Sequence, residues 1–201
     1  IVDRAFPPEK QVSAVDPASR TVTFADGATM SADRILIATG GRPRSLPVPG
    51  ADKAGCHTLR SREDAEAILA ELEAAKTAVI VGASFIALEV ACSLRALEKE
   101  VHIVAPEEIP LAKVFGEQIG GRIKKTHEGN GVRFHLGQTV KELAGQDRVS
   151  EVVLADGSRL GADLVIIGVG VEPVVDFLEG SGLVKDGALP VNARLETTAE
   201  G

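Results

Sequence analysis

Apolar positions along the chain follow two different periods, which together predict alternating strands and helices. Residues 77–106 form the most informative stretch. A short apolar run at 78–81 is followed by small residues at 82–84, and apolar residues then recur at helical spacing. The predicted buried face of this helix consists of Ile86, Val90, Leu94 and Leu97. A second apolar run at 101–104 completes a strand–turn–helix–strand unit, whose two strands we expect to be parallel.

The same patterns predict further elements on both sides of this unit. Ser61 is the predicted N-cap of a helix, with Asp64 three residues on. A second helix is expected over residues 117–128, with Ile119 and Ile123 on its inner face, although Gly120 and Gly121 are unfavourable in its first turns. A buried strand is expected at 34–38. The other predicted strands are 11–14, 21–24, 132–136, 140–143, 149–154, 163–167 and a candidate at 188–191. Residues 42–50 contain three prolines and are interpreted as a linker.

The small residues at 82–84 point to an anion site. Dinucleotide-binding turns follow the pattern G-x-G-x-x-G/A, and this chain has Gly82, Ser84 and Ala87 at those three positions. Such a turn directs the backbone N–H groups of a helix N-terminus at a phosphate. The alternative is a tight turn that only allows the helix to pack on the strand and binds no ligand. A membrane span over residues 77–94 is a second alternative, and Glu89 in its middle argues against it.

An internal repeat supports the interpretation of this turn as a nucleotide-binding site. Residues 24–43 align with residues 154–173 at a constant offset of 130, with eight identities in twenty positions. Both copies contain a turn, an apolar strand and a glycine end, so one architecture occurs twice. By the same offset, a glycine turn matching Gly82 is expected upstream of Ile1. The chain would then hold the end of one nucleotide-binding domain and the whole of a second.

Composition narrows the function classes. The net charge is −7 and the chain has neither Trp nor Tyr, so we expect no nucleic-acid surface. The two cysteines fit neither a metal pattern nor a disulfide framework: Cys92 is predicted to lie in the core, and Cys56 in a loop or strand. The four histidines form no ligand cluster, and we predict no metal site. No signal peptide is visible, and we expect a cytoplasmic protein without a membrane span.

Three ordered segments carry a family resemblance. They are ILIATGGRP, VIVGASFIALEVACSLRALEKEVHIVAPEEIPL and ADLVIIGVGVEP. They resemble the FAD- and NAD-linked pyridine nucleotide-disulfide oxidoreductase superfamily, in particular its ferredoxin-reductase and apoptosis-inducing-factor-like branch, which lacks the redox disulfide. The resemblance implies an α/β fold: a Rossmann-like NAD domain, with a parallel sheet, helices and an antiparallel β-meander, flanked by partial FAD-domain segments. The implied boundaries are 1–50 for the end of the first FAD segment, 51–173 for the NAD(H) domain and 174–201 for the return into the FAD domain.

The resemblance also implies the roles of individual residues. The residues expected around the pyrophosphate are Gly82, Ala83, Ser84, Phe85 and Ile86. Glu89 would lie near the nicotinamide, although a solvated carboxylate near the start of a helix is the alternative. The loop at Val169 and Gly170 would lie on the nicotinamide side, and Thr39 and Gly40 would meet the flavin.

Two positions depart from the family pattern. The acid that bonds the ribose 2′-hydroxyl would fall at Ala105, and Glu107 or Glu108 are the expected substitutes from the following loop. No Arg follows that strand closely, so NAD(H) is favoured over NADP(H). The family's Asn after the GVGxxP segment is Val174 here.

The implied function is that of an FAD-dependent NAD(P)H oxidoreductase. NADH would pass hydride to flavin, and single electrons would go on to a ferredoxin, a Rieske protein or a similar acceptor. No side chain is assigned a catalytic role because the cofactors supply the chemistry. The fragment by itself is expected to be inactive. Two alternatives stay open: a regulatory protein that binds NADH and flavin with little turnover, and a glycine-turn scaffold that binds no nucleotide.

Overall fold

The structure, a computed structural model, describes residues 10–200. It contains two compact units. One consists of Pro43–Val171, and the other of the described parts of Ile1–Arg42 and Glu172–Gly201. The domain boundaries expected from the resemblance remain a prediction, because compactness alone does not say which cofactor a unit binds.

The larger unit contains all four helices of residues 10–200 and two sheets of strands. The helices are α1 (Arg62–Leu72), α2 (Phe85–Ala96), α3 (Ala112–Phe115) and α4 (Glu117–Gly129). The strands of its main sheet are β5 (Cys56–His57), β6 (Thr77–Val81), β7 (Glu100–Ala105), β8 (Val132–Leu136) and β12 (Leu164–Ile167). The strands of its meander are β9 (Val140–Ala144), β10 (Glu151–Leu154) and β11 (Arg159–Gly161).

The main sheet is parallel throughout, in the order β5-β12-β6-β7-β8. Its central strand β6 is a continuous apolar run because both of its faces are buried. Ala78 and Ile80 face α1 and α2, while Val79 and Val81 face the antiparallel meander β9–β11. The unit is therefore a three-layer α/β structure. The predicted fold class, a parallel sheet with helices and a β-meander, is confirmed.

The predicted helix boundaries largely agree with the structure, and the predicted buried faces agree in part. On α2, Leu94 is buried and Val90 packs against the core, as predicted. Helix α2 buries Ala87, Leu88, Ala91 and Leu94. The predicted face is wrong at Ile86 and Leu97, which are 41% and 51% exposed. Small alanines face the sheet because the helix packs closely against it. Cys92, predicted to be a core residue, is exposed on the outer side of α2.

Helix α4 shows a similar difference. Ile119 was predicted on its inner face and is 51% exposed, whereas Gly120 is the buried residue of this helix. A Cβ at Gly120 would lie 2.4 Å from the carbonyl oxygen of Pro110. The glycine that weakens the helix prediction is therefore required by close packing of α4 on the preceding loop.

Of residues 42–50, interpreted as a linker, those from Pro43 onwards pack as part of the larger unit. Leu46 and Val48 contact the core on the meander side of the sheet. The carbonyl of Pro49 accepts a hydrogen bond from the N–H of Leu143 at 2.9 Å. The three prolines exclude regular structure there except for β4 (Gly41–Pro43), but they do not make the segment loose.

The smaller unit contains the meander β1 (Val12–Asp16), β2 (Thr21–Phe24) and β3 (Thr29–Ser31) and a short 3-10 turn at Asp176–Leu178. Its core consists of Val15, Val175 and Leu178, with partly buried neighbours. The strand β13 (Val171–Pro173) pairs with β4. The candidate strand at 188–191 is wrong: only an isolated bridge joins Lys185 and Ala188.

The internal repeat is confirmed at the level of hydrogen bonds. Gly27 N–H donates to the carbonyl of Phe24 at 2.9 Å, and Gly157 N–H donates to that of Leu154 at 3.0 Å. Asp26 and Asp156 each accept the N–H two residues on, at 3.0 and 2.8 Å. The same 130-residue offset thus produces the same turn in both units.

The repeat fails at the following strand. Leu164–Ile167 is a fully buried strand between β5 and β6, whereas the matching residues 34–38 form no strand and Leu36 is 89% exposed. The prediction of a buried strand at 34–38 is therefore wrong for this structure. Identical sequence patterns differ here because only the second copy has partner strands among the described residues.

Candidate functional site

The candidate site lies where three parallel strands end together. Val81 of β6 is in register with Ile167 of β12 on one side and with Val104 of β7 on the other. From β6 the chain crosses through α2 to β7, while β12 joins the sheet from the opposite side. The carboxyl edge of an open α/β sheet at such a reversal of strand order is the usual place for a ligand.

Gly82 is the residue that makes this edge concave. Its φ is +108°, and a Cβ built there would lie 2.4 Å from the carbonyl oxygen of Gly168. Its N–H donates to the carbonyl of Val104 at 2.7 Å. Because both the backbone angle and the neighbouring chain exclude a side chain, the first glycine of the motif has a structural reason in this protein.

Ser84 explains the departure at the second glycine of the motif. It is the N-cap of α2, with φ −73°, and its Oγ accepts a hydrogen bond from the N–H of Ala87 at 3.3 Å. A negative φ is allowed for any L-residue, so no glycine is needed. The serine therefore replaces backbone freedom with a helix cap.

The first turn of α2 presents donors to the open side of this edge. The first N–H groups of a helix have no intrahelical acceptor, and the helix dipole places partial positive charge there. Ser84 Oγ uses the N–H of Ala87, which leaves those of Phe85 and Ile86 for an outside acceptor. Phe85 and Ile86 are 49% and 41% exposed, and Ala83 is buried behind them. This arrangement suits an anion such as a pyrophosphate.

Other predicted residues of this unit lie near the same edge with less definite geometry. Glu89 is exposed in the second turn of α2. Val169 is partly buried against the core on the meander side of the sheet. Gly170 is exposed, has φ +116°, and its carbonyl accepts the N–H of Arg44 at 3.0 Å. Their roles beside a nicotinamide remain predictions.

The end of β7 distinguishes between the predicted ribose-binding positions. Ala105 is 1% exposed and belongs to the core on the helix side, so it offers no polar group. Glu107, two residues on, has its Oε2 buried without a hydrogen-bond partner within residues 10–200. Its backbone carbonyl accepts the N–H of Gly137 at 3.2 Å, which fixes the loop. Glu107 is therefore a better candidate than the exposed Glu108.

Glu107 lines a cavity of about 300 Å³ next to the sheet edge. The other lining residues are Pro106, Glu108, Ile109, Ala112, Lys113 and Glu117. A buried carboxylate oxygen without a donor is costly unless a ligand supplies one, and a sugar hydroxyl is a suitable donor. Lys113 was not singled out from the sequence. The only feature of the sequence that could have indicated it is its positive charge in the segment after β7, which was expected to be a loop and contains α3.

Thr39 and Gly40 lie in the smaller unit. Thr39 Oγ1 donates to the carbonyl of Val174 at 2.7 Å, and the N–H of Val174 donates to the carbonyl of Gly40 at 3.1 Å. Gly40 has φ +66°, as expected for a glycine at a sharp turn. Val174, where the family has Asn, takes part through its backbone alone. The predicted flavin contact of Thr39 and Gly40 stays a prediction.

Residues 10–200 contain no group of three or more His, Cys, Asp or Glu side chains placed to hold a metal ion. They also contain no helix with the length and apolar character that a membrane crossing requires.

Comparisons with known proteins agree with this geometry. The model of the family described as pyridine nucleotide-disulphide oxidoreductase matches residues 5–201. The chain is 36% identical over 196 residues to apoptosis-inducing factor 3 of Mus musculus, covering 96% of this chain and 32% of that protein. It is 36% identical over 174 residues to the ferredoxin–NAD(+) reductase component of the biphenyl dioxygenase system of Paraburkholderia xenovorans, covering 87% of this chain and 43% of that protein.

A solved structure gives the same result in three dimensions. A ferredoxin reductase from Rhodopseudomonas palustris superposes with a TM-score of 0.89 at 33% identity, over 95% of this chain and 48% of that one. The chain thus spans between about a third and a half of the length of the proteins compared. With a family match over nearly the whole sequence and the glycine turn in its expected place, the chain belongs to the pyridine nucleotide-disulphide oxidoreductase family, in its ferredoxin-reductase and apoptosis-inducing-factor-like branch.

Proposed function

We propose that residues 43–171 bind NADH, and that the chain is the NAD(H)-binding portion of an FAD-dependent oxidoreductase. The observation that carries the proposal is the turn at Gly82, which opens onto the free N–H groups of Phe85 and Ile86 at the carboxyl edge of the sheet. Membership in a family with ferredoxin reductases supports a ferredoxin as the electron acceptor, with a Rieske protein or domain as the second choice. The bound nucleotide would supply a hydride to the flavin.

The contributions of this chain are binding and orientation. The N-terminus of α2 neutralises part of the pyrophosphate charge, and Gly82 lets the phosphates approach the backbone. Glu107 accepts a hydrogen bond from the adenosine ribose in the cavity after β7. With the dinucleotide fixed at both points, its nicotinamide end would extend toward Val169 and Gly170, and we assign Glu89 to the same end. No side chain of this chain needs to move a proton for hydride transfer.

The cofactor preference proposed is NADH over NADPH. A carboxylate at Glu107 accepts a hydrogen bond from the ribose 2′-hydroxyl of NADH but repels the 2′-phosphate of NADPH. Lys113 lines the same cavity and partly offsets this repulsion. The discrimination is therefore expected to be moderate.

The experiment is a fluorescence titration of the 201-residue chain with NADH and with NADPH. It compares the unsubstituted chain with a variant that carries a negative charge where the pyrophosphate is expected to bind. Ser84→Asp keeps a good N-cap for α2, because Asp caps as well as Ser, so the fold should be retained. The matched control is Ser61→Asp, the same change at the N-cap of α1. Like charges about 4 Å apart near a protein surface repel by about 4 kcal/mol, which corresponds to a roughly 1000-fold weaker affinity.

We expect saturable NADH binding by the unsubstituted chain and by Ser61→Asp, and almost none by Ser84→Asp. Equal affinity of the two variants for NADH would show that the pyrophosphate does not lie at α2. Absence of NADH binding by the folded, unsubstituted chain would favour the scaffold without a nucleotide.

The ribose contact has its own test. Glu107→Gln should weaken NADH binding by about tenfold, because a charge-assisted hydrogen bond contributes roughly 1.5 kcal/mol more than a neutral one. The exposed neighbour provides the control, and Glu108→Gln should bind NADH nearly normally. The reverse order of effects would assign the ribose to Glu108.

A second candidate function rests on the similarity to apoptosis-inducing factor 3. In that case the full-length protein would bind NADH and flavin as sensed ligands and turn over little. Steady-state oxidation of NADH with a ferredoxin as acceptor separates the two. Continuous turnover supports the oxidoreductase, and a single reduction of the flavin without turnover supports the regulatory protein.

A further inference from the structure

Cys92 and His127 form a pair on the surface of the larger unit. Cys92 lies on the exposed side of α2, and its Sγ is 3.4 Å from Nε2 of His127 on α4. This distance is within the range of a hydrogen bond to sulfur. A thiol and an imidazole in such contact have the arrangement of a nucleophile and its base.

The surroundings of His127 assign its proton. Both ring nitrogens face carbonyl oxygens, which can only accept: Nδ1 lies 2.9 Å from that of Ile123, and Nε2 lies 3.3 Å from that of Leu88. The shorter contact favours the tautomer with hydrogen on Nδ1. Nε2 of the neutral ring is then an acceptor for the thiol of Cys92. After proton transfer, Nε2–H can donate to the thiolate and to the carbonyl of Leu88, which lies 3.3 Å away. In the protonated ring both nitrogens are donors, so the carbonyls of Ile123 and Leu88 can both accept from it, which favours transfer of the thiol proton to His127.

A groove adjoins this pair. It has a volume of about 410 Å³ and is lined by Gln118, Ile119, Arg122, Ile123, Thr126 and His127. Ile119 is 51% exposed and provides an apolar wall. Arg122 lines the groove, is exposed, and makes no ion pair with any residue in the described range 10–200, so its charge is available to a ligand. The groove thus combines apolar contact, one cation and a base that touches a thiol.

The other cysteine offers a contrast within the same unit. Cys56 is half-buried in β5, and its Sγ faces the carbonyl of Gly50 at 3.7 Å. Burial raises the pKa of the Cys56 thiol to about 11, so almost no thiolate is present near neutral pH. The two cysteines should differ strongly in reactivity.

We propose that Cys92, with His127 as its proton acceptor, is a reactive thiol site for low-molecular-weight disulfides that carry carboxylates. The sulfur of Cys92 attacks one sulfur of the small disulfide while His127 holds the thiol proton. The disulfide bond of the small molecule breaks, and a mixed disulfide with Cys92 forms. The departing thiolate takes the proton from His127 and leaves as a thiol. Cys92 is oxidised and the departing half is reduced, so atoms and electrons balance.

The test uses glutathione disulfide as the probe on the 201-residue chain, with peptide mapping by mass spectrometry at neutral pH. We expect Cys92 to acquire the glutathione adduct more than about tenfold faster than Cys56, because Cys92 is exposed beside a base, whereas burial raises the pKa of the half-buried Cys56 thiol. This comparison needs no substitution and so does not depend on the folding of a variant. Equal rates at the two cysteines would overturn the proposal.

Two variants assign the roles of the neighbours. His127→Ala should slow the adduct at Cys92 by about tenfold, while the control Lys125→Ala, at an exposed site on the same helix, should leave it within about twofold. Arg122→Glu should slow glutathione disulfide and accelerate cystamine, a disulfide with ammonium groups. If folded His127→Ala forms the Cys92 adduct at an unchanged rate, His127 does not act as the proton acceptor. An unchanged ratio of the two probes in Arg122→Glu would remove the carboxylate preference.

Discussion

Replacement of Gly82 by alanine tests the packing of the turn itself. A Cβ at this position would lie 2.4 Å from the oxygen and 2.9 Å from the carbon of the Gly168 carbonyl. Both neighbours are backbone atoms in the loop after β12, so neither can swing away as a side chain would. The residue also has φ +108°, where an L-side chain is strained.

The expected loss in free energy of unfolding has two contributions, which a control variant can separate. A non-glycine residue in the left-handed region costs about 1–2 kcal/mol. Displacing a packed backbone segment costs about 1–3 kcal/mol more. Gly157 has φ +89° and nothing within 4 Å of its Cβ position, so Gly157→Ala should show the first cost alone. Gly82→Ala should therefore lower the free energy of unfolding by roughly 3 kcal/mol, against about 1 kcal/mol for Gly157→Ala.

The assay is urea unfolding of both variants and the unsubstituted chain, followed by circular dichroism. For a domain of this size, the additional loss of about 2 kcal/mol corresponds to a melting temperature lower by about 4–8 °C. If the two alanine variants are equally stable, Gly82 does not pack against Gly168 and the concave edge is misplaced.

Two further predictions concern pH and the start of the central strand. Burial of its side chain lowers the pKa of His135 below its usual 6.5, and the charges of His102 and Arg133 lower it further. The unfolded chain therefore binds this proton more readily than the folded chain. The stabilising contribution of the neutral His135 should be fully present above pH 6.5 and decrease below it. Urea unfolding at pH 7.5 and 5.5 should show a smaller difference for His135→Gln, and an unchanged difference would contradict the assignment. Asp163 Oδ2 accepts the N–H groups of Thr77 and Lys76, each at 2.9 Å, which lowers the pKa of that carboxyl. Asp163→Ala should lower the free energy of unfolding by about 1–3 kcal/mol, whereas Asp33→Ala, at the matching position of the repeat, should change it little, as measured by urea unfolding at pH 7. Similar losses in the two variants would refute the role of Asp163 in holding the start of β6.

The local patterns around residues 77–106 were sufficient to predict the strand–turn–helix–strand unit, because buried parallel strands and a glycine turn leave strong signals. The spacing of Ser61 and Asp64 likewise predicts a capping box, which the structure confirms. The repeat, visible as a 130-residue offset, identified paired turns that share their hydrogen bonds.

The errors on the helices have a common physical cause, since they concern which face of a helix meets a neighbouring element. Ile86 and Leu97 are exposed because Ala87 and Ala91 allow α2 to lie close to the sheet. Cys92 is exposed for the same reason, since it lies on the outer side of α2. Periodicity shows that a helix is amphipathic but not how closely it packs. Lys113 and the unpartnered oxygen of Glu107 depend on the path of the loop after β7, which no short pattern encodes.

The central claim is that the pyrophosphate of NADH binds the N-terminus of α2. The most direct measurement is a titration of the ¹⁵N-labelled 201-residue chain with NADH, following each backbone amide by NMR. The account predicts that the amides of Phe85 and Ile86 shift most, together with those of Gly82 and Gly168, whose backbones meet at the turn. Saturable binding that leaves the amides of Phe85 and Ile86 unshifted would contradict it.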